Sequence, residues 1–114
     1  MEQAIKIRRG DTKAFKFQRK SNGEPITEIA ENIYFTVKRN SKLNDFIFQK
    51  TIDDMNFDEN YFYHFTIYPE DTNGLQYGNY EYDIEVKIGD EYVKTIAIGT
   101  FIIDKEVTFV GNEV

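Results

Sequence analysis

The sequence predicts an all-β protein, an antiparallel β-sandwich of about seven strands, on three observations. Apolar and polar residues alternate over several separate stretches, which is the period of a half-buried strand. Clusters of Gly, Asn, Asp, Ser and Pro separate these stretches at short intervals, and no segment has a convincing amphipathic helical pattern. The third observation is Leu75-Gln-Tyr-Gly78-Asn-Tyr80, which has the spacing of a tyrosine corner. In that motif a Tyr near the start of a strand hydrogen-bonds the backbone a few residues upstream, across the connection between two sandwich strands. Gly78 lets the chain turn tightly there.

Taken in order, Ala4 to Arg8 offers Ile5 and Ile7 to one side, and Lys13 to Gln18 offers Phe15 and Phe17, with Arg9-Gly10-Asp11-Thr12 as the break between two strands. Lys20 to Pro25 concentrates turn formers; Asn22-Gly23 favours positive φ and Pro25 cannot donate to a ladder. Ile33, Phe35 and Val37 share one face of the next strand, which runs to Lys38. Asn40 to Asp45 is a polar loop, and Phe46 to Ile52 is a strand whose alternation does not decide which side faces inward, because both sides begin apolar. After the acidic stretch Asp53 to Asn60, Tyr61, Tyr63, Phe65 and Ile67 alternate with Phe62, His64, Thr66 and Tyr68 until Pro69 ends the strand, and Pro69 to Leu75 has room for one helical turn. The longest alternation follows: Tyr80, Tyr82, Ile84, Val86 and Ile88 against Glu81, Asp83, Glu85 and Lys87. Gly89-Asp90-Glu91 is a hairpin turn into Tyr92 to Ile98. There the pattern slips by one, since Ile96 and Ile98 share a parity that Phe101 and Ile103 do not; a β-bulge at Gly99-Thr100 would bring all four to the core. Val107 and Phe109 can add a last short pairing.

With 114 residues, 40% of them hydrophobic, the chain (1–114) has the size of one domain with a single core. Absence of Cys excludes disulfides, thiolate metal sites and cysteine nucleophiles, so stability must come from packing, and a reducing compartment is favoured. The first residues contain no apolar run of signal-peptide length, and nowhere do about 18 apolar residues occur together, so no membrane span is expected. A net charge of −6 argues against nucleic acid as a partner.

Several patterns resemble reactive or binding sites and have plainer explanations. Glu81, Asp83 and Glu85 stand in a row with neighbours about 6.6 Å apart, a separation that suits paired glycosidase carboxylates, yet a solvated strand face explains them as well. Asp54-x-Asn56-x-Asp58 opens like a calcium loop, but Glu59 stands where the sharp-turn Gly belongs and Phe65 where the bidentate Glu belongs. His64 is the only histidine, so neither a His-based metal cluster nor a catalytic triad can be assembled. Arg9-Gly10-Asp11 is an integrin-type tripeptide that a turn between strands already accounts for. No catalytic, cofactor-binding or metal-binding residue is expected, and no cofactor. Tyr34, Tyr68 and Tyr92 fall on outward parities in a chain with 16% aromatic residues, and exposed Tyr suits protein interfaces. A carbohydrate-stacking platform is the rival use, though it usually relies on Trp, which the chain lacks.

Together, Arg9-Gly10-Asp11-Thr12, Phe15-Lys-Phe17, Gly23-Glu-Pro25-Ile26, Ile33 to Lys38, Pro69-Glu-Asp-Thr72, Leu75-x-x-Gly78-x-Tyr80-x-Tyr82-Asp83-Ile84 and Gly99-Thr100-Phe101-x-Ile103 form an ordered signature over residues 5 to 109. It resembles the immunoglobulin-like N-terminal module of phage baseplate upper proteins and related tail structural proteins of Gram-positive phages and prophages. The resemblance implies an immunoglobulin-like sandwich and a non-enzymatic structural role through protein–protein contacts. The implied partners are other phage structural proteins or further copies, and the implied location is the virion and, during assembly, the host cytoplasm. A carbohydrate- or host-surface-binding module is the alternative. Larger members continue into further domains whereas this chain stops at Val114, as expected of a single-domain relative or a piece of a longer protein.

Overall fold

Four inward residues, Tyr80, Tyr82, Ile84 and Val86, alternate with four charged ones along Gly78–Ile88 (β8), and all four are buried. Such a strand needs a neighbour on each side and a layer over one face. The computed structural model describes residues 4–27, 32–39, 47–52, 57–89 and 92–105. In it Asn32–Lys38 (β5) and Tyr92–Asp104 (β9) flank β8, and Phe48–Ile52 (β6) and Ile5–Arg8 (β1) complete a five-stranded sheet of order β1-β9-β8-β5-β6. Lys13–Gln18 (β2) and Phe62–Ile67 (β7) pair into a two-stranded sheet. Lys20–Ser21 (β3) and Glu24–Pro25 (β4) form a small hairpin around Asn22-Gly23, whose φ angles of 53° and 82° are the left-handed values expected of that dipeptide. Pro69–Thr72 (α1) is the one helical segment among the described residues. The protein is therefore all-β in class.

The two sheets share one core. Ile33, Phe35 and Val37 of β5 are wholly buried, as are Tyr63 and Ile67 of β7. Within the smaller sheet, Phe15 stacks on Phe65 with ring centroids 5.2 Å apart and Phe17 on Tyr63 at 5.5 Å. The layers meet where Phe35 approaches Phe65 to 4.7 Å and Tyr82 to 5.5 Å. The fully buried rings among them, Phe35 and Tyr63, each contribute roughly 1.5–3 kcal/mol of hydrophobic stabilisation, so the aromatic cluster carries much of the stability of a chain without cross-links.

Two expectations change and one open orientation is settled. The larger sheet is mixed, not wholly antiparallel, because β1 runs parallel to β9 in the register Ile5↔Phe101 to Arg8↔Asp104. Alternation tells which face of a strand is buried and is blind to its direction. The bulge lies at Ile96, not at Gly99-Thr100: the ladder passes from Ile84↔Ala97 to Glu85↔Thr95, whereas Gly99 pairs regularly with Tyr82. As a result Ala97 takes the inward place and Ile98, opposite Asp83 on the outer face, is 47% exposed. Finally, the undecided β6 strand faces Phe48, Lys50 and Ile52 inward, opposite Val37, Phe35 and Ile33. Lys50 sits near the sheet edge, where its ammonium reaches the Asp71 carboxylate of α1 at 2.6 Å. Asn40 to Asp45, Phe46, Val107 and Phe109 lie outside the described residues.

Candidate interaction surface

The connection from β7 to β8 is built around residues 68–80. Pro69 starts α1 with its φ preset, and the Asp71 carboxylate accepts the Tyr68 N–H at 2.8 Å. Leu75 packs against the core, Gly78 adopts φ 136°, and the buried Tyr80 donates its phenol to the Gln76 carbonyl at 2.8 Å. The turn between β1 and β2 is fastened to the same connection. Gly10 N–H donates to the buried Thr72 hydroxyl at 2.9 Å, and the Arg9 guanidinium lies 4.4 Å from the centre of the Tyr77 ring and donates to Leu75 O at 3.3 Å. Arg9 and Gly10 of the Arg-Gly-Asp tripeptide thus hold the crossover, a role that sequence spacing does not reveal because its partners lie more than sixty residues away.

Tyr34, Tyr68 and Tyr92 stand in three different settings. Tyr34 is half-buried on the outer face of the larger sheet, between Glu85 and Thr51 in the ladder. Tyr68, 49% exposed, leads into α1 with the Lys50 ammonium 5.2 Å from its ring centre. Tyr92, 46% exposed, pairs with Ile88 and so shares the inward parity of Val86. It is open because it lies at the end of the β8–β9 ladder, not because it points to the outer face. The ladder therefore does not gather the three tyrosines into one patch.

On the outer face, Glu81, Asp83 and Glu85 are half-buried by their cross-strand neighbours. Burial pushes the Asp83 carboxyl above its usual 3.8, opposed by the charge of Lys38. Asp58 moves the other way. The hydrogen bond from His64, 2.6 Å away, and the Phe62 and Asn60 backbone N–H groups hold its carboxyl below 3.8, against a smaller desolvation that raises it. Asp58 and His64 thus close the turn before β7; Asp54 and Asn56 of the calcium-like spacing lie outside the described residues. A carboxyl depressed in the native state stabilises the fold above its unfolded pKa and loses that contribution as pH falls through the native value. Asp58→Asn is accordingly expected to lower the urea midpoint at neutral pH and to converge with the parent below about pH 3.8. A gap that stayed constant down to about pH 2 would show that the carboxylate's charge is not what matters.

Between β1 and β2 a cleft of about 650 Å³ opens over Phe15, Phe17 and Tyr82, with Lys6, Lys13, Lys16 and Lys20 around it. No His, Cys, Asp or Glu cluster with the arrangement of a metal site occurs among the described residues. Compared with known proteins, the chain matches no protein-family model and no curated protein.

Proposed function

We propose that this chain is a non-enzymatic structural module of a phage or prophage tail or baseplate, acting through protein–protein contacts made by an immunoglobulin-like β-sandwich, in the virion and in the host cytoplasm during assembly. The fold part of this reading draws support from strand order. In the larger sheet β9, β8, β5 and β6 lie side by side as the G, F, C and C′ strands of a variable-type sandwich do, β2 and β7 pair as B and E do, and a crossover with a Tyr-to-backbone bond precedes β8 where a tyrosine corner belongs.

The observation that carries the functional part is the edge of β9. Its partner β1 pairs only with Phe101 to Asp104, so from Tyr92 to Thr100 the strand has β8 on one side and no strand on the other among the described residues. Val93, 52% exposed, and Ile98 stand out along this β-prone stretch. A long apolar edge offers unpaired backbone groups to another chain, and monomers ordinarily blunt such edges.

An interface built there should bury at least about 1,000 Å². The test is co-expression with the proteins encoded beside this chain, followed by size exclusion with light scattering. A defined complex or homo-oligomer is expected, and Val93→Glu with Ile98→Lys should weaken it by about 2 kcal/mol or more. A chain that stays monomeric with every such protein, yet binds a glycan array, would replace this reading with the carbohydrate one. The lysines that cover rings in the cleft argue against that outcome, since Lys13 lies 5.5 Å from the Phe15 ring centre and Lys16 4.7 Å from that of Phe62.

A further inference from the structure

The two-stranded sheet is narrower than the five-stranded sheet it covers, and β2 is its edge: one side of the strand pairs with β7 and the other has no strand beside it among the described residues. The cleft lies along that open side. Its floor is apolar, formed by Ile5, Phe15, Phe17, Phe65, Tyr82 and Ile84. Around it stand Lys6, Lys13, Lys16 and Lys20, and among the described residues no Asp or Glu lines it, although the chain as a whole carries a net charge of −6. Lys6 has a carboxylate partner, Asp104 at 3.4 Å, and Lys13 donates to Lys6 O at 2.9 Å. No ion pair joins Lys13, Lys16 or Lys20 to a carboxylate among the described residues.

A free strand edge, an apolar floor and a one-signed rim occur together here, and each restricts the occupant. The edge supplies alternate N–H and C=O groups, which an extended backbone satisfies. Because the side chains of such a strand point alternately to its two faces, one set of apolar residues can reach the floor at Phe17 while the other set meets Lys16, which stands on the opposite face of β2 from Phe15 and Phe17. Like charges placed opposite each other on paired strands are unfavourable, so the rim opposes the same edge of a second copy and selects carboxylates. We propose that this groove receives an extended segment of a partner protein, with acidic residues alternating with apolar ones, which adds to β2 as a new strand. The inference deepens the assembly reading and rests on it, using a different edge from β9.

The probe is an acetylated, amidated octapeptide alternating Glu with Val and Phe, titrated into the isotopically labelled full chain and followed by NMR. Saturable shifts centred on Lys13 to Gln18 are expected. Affinity should fall tenfold or more in three cases: when Lys replaces Glu in the peptide, when the peptide is N-methylated at alternate amides, and when the chain carries Lys16→Glu with Lys20→Glu. Both lysines are exposed, so an unchanged amide spectrum away from β2 confirms that this variant folds. No saturable shift at millimolar peptide overturns the proposal. So does binding indifferent to N-methylation, or inorganic polyphosphate producing the same shifts with equal affinity, either of which marks a general anion site. Since these changes leave β9 untouched, a negative result here is separate from failure of the β9 variants in light scattering.

Discussion

Phe35→Ala is expected to lower the stability of the native state by about 3–5 kcal/mol, the range for deleting a fully buried aromatic ring. Phe35 has no solvent exposure and, among the described residues, lies against four other rings: Phe65 at 4.7 Å, Tyr82 at 5.5 Å, and Phe48 and Phe101 each at 6.2 Å. Those contacts join β5 to the opposite layer through Phe65 and to its own sheet on both sides, so truncation leaves a void bounded by rigid groups that cannot all move inward. A typical domain has only about 5–15 kcal/mol in hand, and this one has no disulfide to limit the loss. Urea denaturation of the two proteins reads the effect as a lower midpoint at an unchanged slope. A loss below about 1.5 kcal/mol would mean that the surrounding rings close the space, and that the cluster is softer than its centroid distances imply.

The second large effect is expected at the crossover. Tyr80→Phe keeps the buried ring and removes only the phenol that donates to Gln76 O, and it should cost about 1–2 kcal/mol because that carbonyl loses its partner in a part-buried setting. The bond spans four residues, so it holds the chain in its tight approach to β8 and keeps α1 where Thr72 can accept from Gly10. Hydrogen exchange supplies the local check: amides of residues 72–80 and the Gly10 amide should exchange faster in the variant, with β5 little changed. Unaltered stability and exchange would reduce Tyr80 to a ring that fills space.

How much of this arrangement can be read without the structure depends on how local each cause is. The alternations in β5, β7 and β8, the left-handed Asn22-Gly23 turn and the spacing that brings the Tyr80 phenol to Gln76 O all act within a few residues, through side-chain period, backbone sterics or a short loop. The exposure of Tyr68 likewise follows from its outward parity with Phe62, His64 and Thr66. The sequence therefore determined the class of the protein and its main strands, and it set the Tyr80 phenol within reach of the Gln76 carbonyl. Tertiary structure alone decided that β1 lies parallel on β9, because Ile5 and Ile7 alternate identically in either direction. It placed the bulge at Ile96, since an extra residue is defined only against the partner strand, and this put Ile98 outside and Ala97 inside. It drew Arg9 and Gly10 to the crossover, and it gathered Lys6, Lys13, Lys16 and Lys20 around an apolar cleft in a chain of opposite net charge. Net charge is a sum over the whole chain, whereas a binding field depends on which side chains the strand order sets side by side.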